Sequence, residues 1–445
     1  MNIALISEHA SPLATPGGID CGGQNVYVAH VAAELARSGH RVDVFTRRDD
    51  PAQPAVVADA AGLPPCMRVI HVPAGPARFV PKESLLPLMP AFCNAVAAFV
   101  RKSAALARGA GKAFDMPCCS DAEAPVHYDI VHANFFMSGL AAMRLREVHG
   151  IPFVVTFHAL GRVRRRFQGS ADAFPPERID IEDRLVAGAD RIIAECPCDR
   201  EDLVELYGAD RERIDVVPCG FDPEELGPAP RTLRAEMGLA DEDFLVLQLG
   251  RLVPRKGIDN VVRAIAELKR RHGVRATLLV VGGESERPDP RRTPEIGRLQ
   301  AIAAAEGVAA QVRFAGRQPR NRLRDFYSAA DVFVSTPWYE PFGITPLEAM
   351  ACACPVIGAA VGGIQHSVVD GSTGYLVPPD DPVALAERLA RLHRDADLRH
   401  EFGRRGLRRV RRHFTWRLVA AELARVYREV AAAPLATALE RRVQA

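Results

Sequence analysis

The sequence predicts an α/β protein of two doubly wound, parallel-sheet domains of Rossmann-like type. Short apolar runs, such as residues 3–6, 244–249 and 332–334, alternate with stretches of helical periodicity, the pattern of βαβ units. The series occurs twice, once up to about Pro218 and again from Phe244. A glycine-bearing loop follows the opening strand of each series, Gly22-Gly23 in the first and Gly250 to Gly257 in the second. At 445 residues the chain is also too long for one ordinary core.

In order, residues 3–6 read as the first strand and residues 11–24 as a long loop carrying Gly17-Gly18 and Gly22-Gly23. A helix follows over 25–38, with Val28, Val31, Ala32 and Leu35 at helical spacing and Gly39 as its stop. Residues 41–46 are the second strand. The glycines do not spell G-x-G-x-x-G and no acidic residue closes that strand, so a dinucleotide site is not predicted. The loop can still bring backbone close to a phosphate. Residues 50–75 mix loop and strand, 84–107 read as helix, and 108–125 read as an irregular insertion. Strands at 129–132 and 152–157 lead to Asn134-Phe135-Phe136 and to His158. A helix over 179–187, a strand over 191–195, a helix over 199–207 and a strand over 214–218 complete the series. The turn Cys219-Gly220-Phe221-Asp222-Pro223 marks the boundary, giving an N-terminal domain over 1–219.

The second series opens with the strand 244–249 and the basic loop Gly250-Arg251-Leu252-Val253-Pro254-Arg255-Lys256-Gly257. A helix over 258–271 and a strand over 277–281 follow, then strands over 311–316, 331–335, 355–358 and 374–378, and a helix over 382–393. This domain is placed at 220–412. In the remaining segment, 413–445, Leu418, Ala421, Leu423 and Val426 give a broad apolar face that predicts a docking helix.

Composition excludes several classes. Lys+Arg number 57 and Asp+Glu 55, a net of +2, which argues against nucleic-acid binding. The charged fraction of 25% and hydrophobic fraction of 48% are those of a globular protein. No run approaches the roughly 18 apolar residues of a spanning helix. The opening Met1-Asn2-Ile3-Ala4-Leu5-Ile6 reads as a core strand and not as a signal peptide, so the predicted location is cytoplasmic. The ten cysteines include Cys196-x-Cys198 and Cys352-x-Cys354 but no paired C-x-x-C units. Reduced thiols are expected, and no metal site.

The chemistry concentrates in Tyr339-Glu340-Pro341-Phe342-Gly343-Ile344-Thr345-Pro346-Leu347-Glu348. A buried strand precedes it, and a helix opens within it, with Thr345 predicted as N-cap and Pro346 as the first helical residue. A helix N-terminus offers bare amides and a positive dipole end, which suit a phosphate. Thr345 and Glu348 also fit a capping box, in which Glu348 only satisfies the Thr345 amide. Both readings of Glu348 stay open here, whereas Glu340 is not needed for any cap. In doubly wound sheets ligands bind beyond the carboxyl ends of the strands, where Gly22, Gly23, His158, Arg251, Lys256, Glu340 and Glu348 all fall. Two cations suit a diphosphate, and two carboxylates suit the hydroxyls of a sugar or ribose. Singly, a basic pair such as Arg255-Lys256 is more often a solvated turn than a ligand contact, and a residue such as His158 more often structural than catalytic.

Together these motifs resemble the family 4 retaining glycosyltransferases, over almost the whole chain except about residues 108–125. Glu340 and Glu348 match E-x7-E, and Gly250-Arg251 to Lys256-Gly257 match G-R-x4-K-G. Gly22-Gly23-Gln24-Asn25-Val26-Tyr27 matches the N-terminal glycine loop, and Thr156-Phe157-His158-Ala159-Leu160-Gly161 the histidine segment. The nearest branch holds sucrose synthases, sucrose-phosphate synthases and the mycothiol-pathway glycosyltransferase. The resemblance implies the GT-B fold, with two domains facing across a cleft and the last helix crossing back. It implies metal-free, cofactor-free transfer of a hexosyl unit from a nucleoside diphosphate sugar, a UDP-sugar foremost, to an acceptor hydroxyl with retention. Arg251 and Lys256 would clamp the diphosphate, approached by Gly22 and Gly23 from the other domain. Glu340, with Phe342, Gly343, Ile344 and Thr345, would hold the donor sugar, with His158 near the reacting carbon. Glu348 would meet the ribose and Arg317 the base.

For the acceptor the resemblance points to Asn25, Lys82 and Arg178, the last two matching phosphate-binding cations. Phe135 stands where the inositol-phosphate-using branch has Tyr, and Ala159 where it has a hydroxyl residue, so inositol phosphate itself is not singled out. Arg162, Arg164, Arg165 and Arg166 form a further basic cluster. A small anionic acceptor is expected: a sugar, polyol or lipid phosphate. A lipid acceptor would bring peripheral membrane contact. The oligomeric state is not legible. Two rival readings are a hydrolysing sugar-nucleotide epimerase, which releases nucleotide without an acceptor, and a non-catalytic nucleotide-sugar binding protein.

Overall fold

The computed structural model describes residues 1–14, 22–58, 62–109 and 127–433. The Gly17-Gly18 pair and nearly all of the expected 108–125 insertion lie outside them.

The first half forms one eight-stranded sheet. Its strands are β1 (Asn2–Ile6), β2 (Arg41–Arg47), β3 (Val56–Ala58), β4 (Met67–Val72), β5 (Ile130–Asn134), β6 (Phe153–Thr156), β7 (Arg191–Ala194) and β8 (Ile214–Val216). They lie in the order β3-β4-β2-β1-β5-β6-β7-β8. Every pairing is parallel except the antiparallel edge β3–β4. The second half forms a six-stranded, all-parallel sheet from β9 (Phe244–Leu249), β10 (Ala276–Val281), β11 (Val312–Gly316), β12 (Val332–Ser335), β13 (Val356–Ala359) and β14 (Gly374–Val377). Its order is β11-β10-β9-β12-β13-β14. Helices cover both faces, so the strands are buried on both sides and read as continuous apolar runs.

This topology places the site. Strand order reverses between β1 and β5 in one sheet and between β9 and β12 in the other. A crevice opens at the carboxyl ends of each such switch point. The loops that leave there are the Gly22-Gly23 loop after β1, the basic loop after β9 and the Glu340 loop after β12. They face each other: a Cβ on Gly22 would lie 3.6 Å from the Arg251 Nε, and one on Gly23 3.6 Å from the Ile344 Cδ1.

Three apolar clusters hold the molecule together. One lies under the first sheet around Phe92, Phe136 and Leu185, and one in the second half around Val246, Ile265 and Leu389. The third runs through both halves, from Leu35 by way of Phe221 and Trp416 to Phe342 and Leu347. Along it the chain crosses between the halves twice, side by side. The Phe221 amide donates to the Phe414 carbonyl at 2.8 Å, and the Trp416 amide to the Phe221 carbonyl at 3.1 Å. The helix Trp416–Ala432 then packs on the first helix, Gly23–Arg37, and its Tyr427 hydroxyl reaches the buried His132 Nδ1 at 2.5 Å.

Several helices have no clear sequence signal, among them Phe136–His149, Arg320–Ala329 and Ala396–His413. The last is rich in arginine and carries Gly403 and Gly406, and the glycines speak against a helix in isolation. Tertiary packing selects it: both glycines are buried, and a Cβ on Gly403 would sit 2.1 Å from the Ala353 carbonyl oxygen. The thiol expectation needs correction. Six described cysteines are free, but Cys66 is disulfide-bonded. Among the described residues no helix is long and apolar enough to cross a membrane.

Candidate active site

A cleft of about 510 Å³ lies between the two switch points. Of the fifteen site residues singled out in the sequence, all but Arg178 line it.

Its centre is the Glu340 loop, strapped to the basic turn. Trp338 donates its amide to the Arg255 carbonyl at 3.0 Å, and the Thr336 hydroxyl donates to the Gly257 carbonyl at 3.1 Å. Gly257, at φ +63, has no alternative, because a Cβ there would lie 2.0 Å from the Thr336 carbonyl oxygen. On the other side a Cβ on Gly362 would meet the Glu340 carbonyl oxygen at 1.8 Å. The Glu340 carboxylate is paired with the Lys256 ammonium, and the Arg255 Nη1 lies 3.5 Å from the same oxygen. Burial pushes the Glu340 carboxyl up, but Lys256, then Arg255 and Arg251, more than offset this and hold it at about 2. Burial lowers the Lys256 ammonium; Glu340 opposes this, and Arg255 and Arg251 add to the lowering. Lys256 and Arg255 thus flank one ionised carboxylate, and Arg251 adds to the same positive field.

The helix that follows is Ile344–Ala351, capped by Gly343 at φ +89. It begins earlier than expected: Thr345 is its second residue and Pro346 its third, and neither serves as predicted. Gly343 starts the helix in a left-handed conformation, and Ile344 and Thr345 line the cleft. No side chain caps this helix, so the capping-box reading of Glu348 does not hold. Instead its buried carboxylate accepts from the Arg320 Nη1 at 3.0 Å and from the Tyr327 hydroxyl at 2.8 Å. Arg320 also donates from Nε to Glu225 at 2.6 Å. Glu348→Gln takes a counter-ion from Arg320 inside the fold, so a lower melting temperature is expected in a thermal melt.

Across the cleft, His158 follows β6 at φ +56. Its Nδ1 lies 3.0 Å from Glu195 Oε1 and its Nε2 3.0 Å from Asn134 Oδ1, so the ring is held at both nitrogens. The Tyr27 ring packs edge-on at 4.8 Å. Phe135, at the end of the adjacent strand β5, has φ +88 and ψ +159. That region is almost reserved for glycine and costs roughly 1–3 kcal/mol, the strain typical of sites.

The acceptor-side cations are less available than the sequence suggests. Arg178 lies behind the cleft wall, 1% exposed, stacked against the rings of Phe135, Phe136 and Phe174. It donates from Nε to Glu182 at 2.7 Å and from Nη2 to the Ala159 carbonyl. Glu182 also takes the Gly161 amide at 2.9 Å. Arg162 is paired with Asp183, and Arg164 with Asp172 at 2.9 Å. Two of the four arginines in this cluster, Arg162 and Arg164, are therefore neutralised within their own half. Asn25 lines the cleft but serves the first helix, its Oδ1 accepting from the Gly22 amide at 3.0 Å and its Nδ2 donating to the Ser11 carbonyl at 3.1 Å. Lys82 sits on a 3-10 turn, Lys82–Ser84, at the rim. Arg255, Arg320, Glu195 and Asn134 were not singled out in the sequence; only Arg255, beside Lys256, carried a local hint. Among the described residues one group could share a cation, His30, Asp222 and Glu225, but Glu225 is already paired with Arg320.

Residues 21–225 match the profile "Glycosyltransferase Family 4", and residues 231–409 match "Glycosyl transferases group 1". The D-inositol 3-phosphate glycosyltransferase of Xylanimonas cellulosilytica is 36% identical over 433 residues, 96% of each chain. The chain belongs to the family 4 glycosyltransferases. The enzyme of the same description from Nocardia farcinica is 37% identical over 434 residues, 96% of this chain and 88% of that one. Among solved structures of the fold, sucrose-phosphate synthase from Thermosynechococcus elongatus superposes with a TM-score of 0.83 at 32% identity, covering 97% of this chain and 100% of that one. Anabaena HepE, solved with UDP-glucose, shares the fold at a TM-score of 0.68 and 20% identity, over 96% of this chain and 100% of its own. As a family 4 glycosyltransferase the protein is an enzyme of glycosyl transfer with the GT-B architecture expected from its motifs. The two sheets and the cleft between their switch points are that architecture.

Proposed function

We propose that the protein moves a hexosyl unit from a UDP-sugar to a hydroxyl of a small anionic acceptor, a polyol or sugar phosphate, with retention. One observation carries this reading: Lys256 and Arg255 flank Glu340, and Arg251 adds to their field, in a cleft also lined by His158 and the Gly22-Gly23 loop. Such a concentration of positive charge matches a diphosphate, which carries an ionised oxygen on each phosphate. As the sugar–phosphate bond breaks, negative charge grows on the leaving diphosphate while the sugar becomes cation-like. Arg251, Lys256 and the amides opening the Ile344–Ala351 helix stabilise the leaving group, and they are oriented before the reaction begins. Glu340, held ionised by the cations beside it, accepts from sugar hydroxyls, and Glu348 accepts from the ribose. His158 approaches the sugar from the other half, so chemistry requires the halves to close, which also excludes water.

The acceptor is held by the N-terminal half, at the wall of Lys82, Phe135, Phe174 and Arg164. Relatives described as D-inositol 3-phosphate glycosyltransferases support a polyol phosphate. The test is release of UDP from UDP-glucose, with and without inositol phosphate, sugar phosphates and neutral sugars, each in the presence and absence of EDTA. Release that requires a phosphorylated acceptor and survives EDTA is expected. Release without acceptor would favour the epimerase, and binding without any turnover the non-catalytic protein. Loss in EDTA that Mn²⁺ restores would add a metal to the reaction.

A further inference from the structure

Lys256 is drawn by two partners. In this structure its ammonium is paired with Glu340, yet the donor diphosphate demands the same charge. If Lys256 turns to the phosphates, Glu340 loses its nearest counter-ion at the moment its oxygens must accept from the sugar. A carboxylate only 12% exposed is costly to keep ionised without a cation beside it.

Arg255 is built to remain. Its Nη1 donates to the Tyr339 carbonyl at 3.1 Å, and its own carbonyl accepts the Trp338 amide at 3.0 Å, so it moves with the Glu340 loop. From that anchorage it stands 3.5 Å from the Glu340 oxygen that Lys256 holds. The fork of a guanidinium lets it serve a carbonyl and a carboxylate together, which an ammonium on a flexible stem does less well. We propose that Arg255 is a positioning residue that becomes the counter-ion of Glu340 when Lys256 passes to the donor diphosphate. This rests on the reading above, in which Glu340 holds the donor sugar and Lys256 the diphosphate.

Charged and titratable groups face Glu340 from each side. Lys256, Arg255 and Arg251 belong to the basic loop. The Cys219 thiol, from the segment between the halves, is raised by burial first and then by its neighbours Glu195, Cys196 and Glu340. Asp199 acts on the adjoining Tyr339. Removing Arg255 takes away a cation, so the Glu340 carboxyl rises and the acid limb of the rate profile moves to higher pH.

The experiment compares wild type, Arg255→Gln, Arg255→Lys and Lys256→Ala. Binding of UDP and of UDP-glucose is measured by titration, and kcat is measured against pH. Arg255→Gln is expected to bind UDP within about twofold of wild type but UDP-glucose about tenfold more weakly. Its acid limb should lie about one pH unit higher, with Arg255→Lys intermediate. In a Glu340→Gln background the Arg255→Gln effect on UDP-glucose binding should vanish, a coupling that needs no turnover to be seen. An additive double variant, or an unmoved acid limb with unchanged UDP-glucose affinity, overturns the exchange. Equal losses for UDP and UDP-glucose overturn it too, by making Arg255 a diphosphate ligand. If instead Lys256→Ala keeps full UDP affinity and turnover, it is the donor reading that has failed.

Discussion

Lys256→Ala is expected to lower kcat by at least ~100-fold, and Arg251→Ala by a similar factor, while the fold survives. Both side chains line the cleft at the topological switch point of the second sheet, where the proposed diphosphate would lie and where backbone geometry depends on Gly257 and not on them. The loss should therefore fall on catalysis. Negative charge on the diphosphate is greater in the transition state than in the bound donor, so kcat should suffer more than the donor KM. Lys256→Ala has a second consequence: it leaves Glu340 with Arg255 as its neighbour, so the carboxylate stays ionised and the loop stays in place. Steady-state kinetics beside a thermal melt decide the matter. Turnover within a few-fold of wild type in both variants would remove the diphosphate clamp.

Arg178→Ala is expected to cost about 3–5 kcal/mol of stability, because it strands the fully buried Glu182 carboxylate without its counter-ion. It also removes the guanidinium on which the Phe135, Phe136 and Phe174 rings stack. The sequence reading gave this arginine an acceptor phosphate; the structure gives it a carboxylate and a carbonyl within the wall. Lys82→Ala, at the rim, should behave oppositely, raising acceptor KM about tenfold with little change in melting. Denaturant melts and acceptor kinetics on the two variants discriminate. A stable Arg178→Ala enzyme with a raised acceptor KM would return Arg178 to the acceptor site.

Much of the site was legible because its parts are short, local and chemically loud. A basic loop bounded by glycines after an apolar strand, and two carboxylates spaced around a helix start, need no distant partner to be recognised. What escaped were residues whose meaning comes from partners far along the chain. Arg320 sits on an unremarked helix, and only the fold brings Glu225 and Glu348 to its two sides, at 2.6 and 3.0 Å. Glu195 and Asn134 matter because parallel strands β5, β6 and β7 end side by side beneath His158.

Charge was the least legible property. From composition Arg162, Arg164 and Arg178 looked like cations awaiting an anion. Asp183, Asp172 and Glu182 answer them, at sequence separations of 21, 8 and 4 residues. Periodicity and glycine placement by themselves determined the two βαβ series and the loops at the carboxyl ends of their strands, since those follow from local sterics and from where ligands bind on parallel sheets, whereas the cleft between the halves was implied by the family resemblance. Tertiary structure alone decided which charges remain for a substrate, that Glu348 is no helix cap and that Arg255 shadows Lys256 at Glu340. These depend on which side chains meet once the chain is folded, and electrostatic energy is set by that distance and by the water excluded around it.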